Sequence, residues 1–211
     1  MSESNLAVPE LATVEVKGTT RSSFLLRGTL AAGAAFGAAS VTPFVRSAFA
    51  QGDTTDLDIL NYALTLEYLE SEFYKEGLKN AGLKGDAKEI ATQLGQDESD
   101  HVDALTAAIT DAGGKPVAMP GFNFGMATSS QDAFLKAAQT FEDTGVSAYN
   151  GAAPMIKSTE VLGSAGSIVQ IEARHAALIR LLLDNNPAPD AFDEALEQAA
   201  VLQAVKPFIA A

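Results

Sequence analysis

The chain has 211 residues and a formal net charge of −13, with 47% hydrophobic residues, 7% aromatic residues and no cysteine. That length suits one ordinary domain or two small ones, and alanine and leucine without many aromatics favour helices over a β-sandwich. The acidity, with no basic stripe, argues against a nucleic-acid partner, and the lack of cysteine excludes disulfides, thiolate metal sites and cysteine nucleophiles.

Residues 1–50 read as an export signal rather than as part of a fold. Arg21 and Arg27 form a positive start, 18 uncharged residues separate Arg27 from Arg46, and Ala48-Phe49-Ala50 offers small residues before a cut at Gln51. A membrane span needs about 20 strongly apolar residues, and this stretch is shorter, mildly hydrophobic and interrupted by Pro43. Thr20, Arg21, Phe24 and Leu25 resemble the twin-arginine export signal, although Ser22 stands where the second arginine would be. The mature chain keeps 10 basic and 24 acidic residues, a net charge of −14. It is expected to work in the periplasm or otherwise outside the cytoplasm, with no membrane span after cleavage.

Four long helical patterns follow. The first covers about Asp56–Gly77, with Thr54, Thr55 or Asp56 as its cap. The second covers about Asp86–Ala112 and stops at Gly113-Gly114. The next stretch, "GGKPVAMPGFNFGMATSS", is rich in Gly, Pro and Ser, has no helical period and reads as a long connection. Within it, Phe122 to Met126 read as an apolar plug or as the lining of an access route. The third helix starts near Gln131 and fades around Gly151 to Pro154, and the fourth runs from about Ser158 to Asp184. A shorter amphipathic segment, Ala191–Val205, closes the chain as part of a helical tail over residues 187–211. A helix of about 25 residues is ~38 Å long, a distance that roughly 18 extended residues can span. The pattern predicts an all-α fold over residues 51–186, a four-helix bundle with one long crossover between helices 2 and 3.

The bundle segment contains a weak repeat. Glu67 is followed seven residues later by Tyr74, then come Glu98 and, three on, His101. In the second half Glu142 is followed seven later by Tyr149, then come Glu172 and His175, again three apart. The steps are 7, 24 and 3 in one half and 7, 23 and 3 in the other, and Gln96 and Gln170 precede the two Glu-x-x-His pairs. Glutamate is 14 of the 211 residues, so both histidines gain one at this spacing by chance roughly 0.5% of the time.

Helix geometry places Glu67, Glu98, His101, Glu142, Glu172 and His175 on the apolar faces of four helices, while Glu72 and Glu76 point away. An unpaired buried carboxylate costs several kcal/mol, and no lysine or arginine falls on these faces. Metal ions would supply the missing positive charge. One Glu from each of two helices and Glu-x-x-His from each of the other two is the ligand set of a dimetal carboxylate centre. Asp143 is a weaker substitute for Glu142. Glu70 reads equally as an extra ligand or as a carboxylate bonded to a tyrosine, because its counterpart in the second half is Gly145.

At "LNYALTLEYLESEFY", "ESDHVDAL", "TGVSAYNGAAP" and "IEARHAALIR" the sequence resembles the ferritin-like superfamily, in particular exported bacterial ferritin-like proteins related to plant desiccation-related proteins. The resemblance implies a ferritin-like crossover bundle with two metal ions. Glu67 and His101 would be terminal ligands on one ion and Glu142 and His175 on the other, with Glu98 and Glu172 between them. Tyr74 and Tyr149 would stand behind the ligands, donating hydrogen bonds to carboxylates or acting as redox partners. A homodimer is expected from the family alone. Carboxylate and imidazole donors favour iron or manganese. The expected role is protective redox chemistry in the cell envelope, consuming peroxide or oxidising Fe(II) with dioxygen. The alternatives at this point are metal binding or stress and desiccation protection without turnover, and an oxygenase with an apolar pocket beside the metals.

Overall fold

The computed structural model describes residues 54–210. The export signal expected over residues 1–50 lies outside the described residues. Five α-helices follow: α1 (Asp56–Asn80), α2 (Gly85–Asp111), α3 (Gln131–Ala152), α4 (Thr159–Leu182) and α5 (Gln198–Val205). Thr55 settles the start of α1 through a capping box: its hydroxyl accepts from the Asp58 amide, and the Asp58 carboxylate accepts from the Thr55 amide. Helix α1 runs three residues beyond Gly77, because nothing in Leu78-Lys79-Asn80 breaks a helix. Gly113 ends α2 as expected. It takes the left-handed conformation at φ 76°, and the Gly114 amide reaches back to the Ile109 carbonyl at 2.8 Å.

Helix α1 packs mainly against α2, and α3 against α4. The crossover between the two pairs runs along α1. Its Val117 amide donates to the Asn61 side chain, and fifteen residues further along α1 Glu76 accepts from the Thr128 hydroxyl. That separation is ~22 Å of helix. A 3-10 turn, Gly125–Thr128, is the only helical geometry in the crossover. Phe124 is buried against Phe73, Phe141 and Phe208, so the expected plug is real, while Met126 is 78% exposed.

The helical tail is shorter than its periodicity suggests. The segment before Gln198 is not helical. The Leu196 amide donates to the Ser147 carbonyl, and the Leu196 backbone lies where a side chain on Gly151 would begin. An extended strap pinned to α3 at this close approach cannot coil, so tertiary contact overrides local propensity. Beyond α5 the chain pairs with the crossover: Phe122 and Ile209 form an isolated antiparallel bridge, and the Ala210 amide donates to Gly121. Among the described residues no helix is long and apolar enough to cross a membrane.

Candidate metal centre

The faces expected from the periodicity are the faces that are buried. Glu67, Glu98, Glu142 and Glu172 are fully buried, His175 is 2% exposed and His101 is largely covered. They converge at mid-bundle from α1, α2, α3 and α4. His175 Nδ1 lies 2.8 Å from Glu98 and 3.4 Å from Glu142. His101 Nδ1 lies 3.0 Å from Glu172 and 3.2 Å from each of Glu67 and Glu98. Glu98 faces His175 while His101, three residues on, faces Glu172, three residues before His175. Two helices can match in this reversed order only when they run antiparallel.

The tyrosines obey the same rule. Tyr74 donates to Glu142, and Tyr149 donates to Glu67. Each tyrosine lies seven residues, about 10 Å, beyond the glutamate on its own helix. Each therefore serves the glutamate of the other helix, and α1 and α3 run antiparallel. The spacing of seven in the sequence is the spacing of that cross-pairing. Both hydroxyls hold their protons well above the ordinary tyrosine range, through burial first and the charges of the neighbouring glutamates second.

The electrostatics of the cluster are one-sided. Burial lifts Glu98 from the usual carboxyl value to about 7, against the lowering effect of hydrogen bonds from His101 and His175. Glu172 is raised well above its ordinary range by burial and then by Glu98 and Glu67. Burial alone would lower the imidazoles, yet hydrogen bonds to Glu172, Glu67 and Glu98 lift His101 to about 12, and Glu142 and Glu98 lift His175 to about 11. Even so, these close contacts are poorly directed: Glu98 Oε1, Glu142 Oε2, both Glu172 oxygens and His175 Nδ1 have no hydrogen bond of good geometry among the described residues. Five buried atoms with lone pairs or unused protons, all facing one another, are what a polar cluster shows when a cation is its natural centre.

Two overlapping groups of donors emerge. One atom each from Glu67, Glu98, His101 and Glu172 lie within 4.8 Å of one another, and so do atoms of Glu98, Glu142, Glu172 and His175. Glu98 and Glu172 belong to both groups. Each group could hold a metal ion.

Glu70 lies outside both groups. Its carboxylate fills the space above Gly145, where an added Cβ would stand 3.1 Å from Glu70 and 3.4 Å from Glu172. This accounts for the break in the repeat: the second half has a glycine where the first half needs room for Glu70. The tyrosines bond Glu142 and Glu67 rather than Glu70. Burial and then Glu172 raise the Glu70 carboxyl well above its usual range. Asp143, the weaker alternative to Glu142, is bonded to Arg180 on the neighbouring helix α4 instead. The paired glutamines are peripheral: Gln96 bonds Asp100, and Gln170 bonds its own helix.

One contributor escaped the sequence reading. Asp97 on α2 lies 3.3 Å from His175 Nε2. Its carboxylate accepts the Nε2 proton, which leaves Nδ1 as the nitrogen turned to the glutamates. The repeat offers no signal for it, because Asp97 matches Ile171 in the second half.

A model of the ferritin-like domain matches residues 55–185. That is most of the described chain and every residue of the cluster, so the protein belongs to the ferritin-like domain family. No curated protein matches the sequence.

Proposed function

We propose that the cluster holds two metal ions, iron or manganese, and that the protein has a protective redox role outside the cytoplasm, consuming peroxide or oxidising Fe(II) with dioxygen. One observation supports this most: two four-residue donor groups share Glu98 and Glu172, and five of their buried atoms have no hydrogen bond of good geometry among the described residues. In this reading Glu67 and His101 hold one ion, Glu142 and His175 the other, and Glu98 and Glu172 lie between. Carboxylate and imidazole donors without sulfur suit iron or manganese. Such ions, when bound, supply the electron transfer that dioxygen or peroxide chemistry requires.

The chain's own part is to bind, orient and exclude water. Asp97 fixes the tautomer of His175. Tyr149 and Tyr74 each hold one oxygen of Glu67 and Glu142, and the other oxygen turns toward His101 or His175 at the centre. Glu70 lies beside Glu172 over Gly145, and burial and then Glu172 raise its carboxyl well above the usual range.

The test is metal content by plasma mass spectrometry, on protein purified without chelators or affinity metals, beside the His101→Ala/His175→Ala double variant. About two iron or manganese ions per chain, lost in the variant, are expected. Metal at background in both, unchanged after anaerobic Fe(II) or Mn(II) loading, overturns the reading. Peroxide and Fe(II) consumption assays on the loaded protein then decide turnover.

A further inference from the structure

One end of the bundle is hollow. A cavity of about 580 Å³ lies among the first half of α1, the second half of α2, the end of α3 and the start of α4. Its lining is mainly alanine and branched aliphatic residues, and no lysine, arginine or histidine takes part. Ala104 and Ala107 on α2 and Ser164 on α4 line it and are exposed, so it opens between those two helices. Small side chains there cannot fill the gap. The floor lies against the glutamate–histidine cluster: Ala63, Leu105 and Ile168 are one helical turn from Glu67, His101 and Glu172, and Tyr149 both lines the cavity and donates to Glu67.

A second, independent feature points to a ligand. Tyr62 lines the cavity at 7% exposure, and its hydroxyl finds no hydrogen-bond partner among the described residues. Burying a hydroxyl without a partner is unfavourable, so such groups are rare unless something completes them. The volume falls within the roughly 300–1,000 Å³ typical of small-molecule sites, which pair an apolar lining with a few polar groups. The charged groups of the lining are Asp56, Asp111 and Glu160, all acidic. Asp56 is occupied by the Lys157 and Ser158 amides, which leaves Asp111 and Glu160 to repel an anion.

We propose that this cavity is a binding site for an uncharged, mainly apolar small molecule with one hydrogen-bond-accepting group, which the Tyr62 hydroxyl engages. An alcohol, ketone or quinone has this chemistry, and a fatty-acid anion does not. The site stands on the cavity and Tyr62 and does not depend on metal occupancy. A bound molecule would lie one helical turn from the glutamate–histidine cluster.

The experiment uses 1-aminoanthracene, an uncharged dye that brightens on leaving water, displaced in turn by 1-dodecanol, dodecane and dodecanoate. It is run on chelated and on metal-loaded protein, so failure of this site and failure of the metal reading give separate results. The dye is expected to bind both forms, with 1-dodecanol displacing it at least about tenfold better than dodecanoate at pH 8. Ala104→Trp, at an exposed position where a larger side chain leaves the fold intact, should weaken dye binding about tenfold or more. Tyr62→Phe should weaken 1-dodecanol by about five- to tenfold and leave dodecane unchanged. Circular dichroism melting confirms that each variant folds. No dye binding to either form overturns the proposal, as does binding that Ala104→Trp leaves intact. Dodecanoate matching 1-dodecanol overturns it too. So does a native dimer, seen by sedimentation, that excludes the dye and that Ala104→Trp dissociates, since the second copy would then be the occupant.

Discussion

The two ends of the bundle are built from helices of similar length and are packed by opposite means. At the end holding the C-terminus of α1 and the N-terminus of α3, Phe73 stacks on Phe134 at 4.7 Å and meets Phe141 edge-on at 4.8 Å. The crossover adds Phe124, and Phe208, from the turn after α5, seals the cluster against Phe141. At the other end alanine and serine line the gap between α2 and α4, and the space there is left open. The glutamate–histidine layer lies between them. One end is filled with aromatic rings, and the other holds a cavity whose floor lies one helical turn from Glu67, His101 and Glu172. Dense packing and open space are thus separated along the bundle axis rather than mixed within one layer.

The largest loss of stability is expected at the aromatic end. Phe73→Ala removes a fully buried ring with four aromatic neighbours and should cost ~3–5 kcal/mol, read by urea unfolding. A loss under 1 kcal/mol would show that this end is not the anchor.

The polar layer should contribute a pH dependence on the order of a few kcal/mol in metal-free protein. Glu98 holds its proton to about pH 7 in the folded chain, against the ordinary 4.5, and His101 and His175 hold theirs to about 12 and 11, against 6.5. A carboxyl with a raised pKa destabilises the fold as pH rises from 4.5 to about 7. A histidine with a raised pKa contributes stability that is complete below 6.5 and is lost as pH climbs toward 11 or 12. Both effects have the same sign, since the folded chain binds more protons than the unfolded one. The melting temperature of chelated protein should therefore fall from pH 5 to pH 9. Metal loading should reverse that slope, because metal displaces those protons. A chelated protein that melts higher at pH 9 than at pH 5 would contradict these assignments.

Smaller effects sharpen the contrast between glycines. At the aromatic end, a Cβ on Gly77 would sit 2.1 Å from the Phe134 ring, so Gly77→Ala should cost ~1–3 kcal/mol. At the hollow end Gly163 and Gly166 on α4 have open space where a Cβ would go. Gly163→Ala and Gly166→Ala should each stabilise by about 0.5–1 kcal/mol, because alanine restricts the unfolded chain and fits the helix. Thermal melts of the three variants decide it, and equal signs at Gly77 and Gly163 would erase the distinction between the ends.

Much of this molecule was legible in the one-dimensional pattern. The Glu-x6-Tyr and Glu-x-x-His spacings are helical spacings, so they assign faces without any knowledge of partners, and Glu67, Glu98, Glu142, Glu172 and both histidines lie on buried or largely buried faces as the periodicity requires. The unpatterned stretch before Gln131 likewise implied a crossover, because its length matches a helix it must run beside. What the pattern left open depends on which helix faces which. Glu70 was ambiguous until Gly145 of another helix proved to be the space it occupies. Asp97 was silent because one position on α2 says nothing about a ring nitrogen arriving from α4. Residues 191–197 carry a helical period, yet a backbone bond to Ser147 and the close approach at Gly151 hold Leu196 in a strap. The sequence by itself determined the helices, their buried faces and the residues gathered at mid-bundle, because hydrophobic periodicity acts within one helix. Tertiary structure alone decided the tyrosine cross-pairing, the orientation of His175 and the open cavity, because each arises from distances between helices that no single segment encodes.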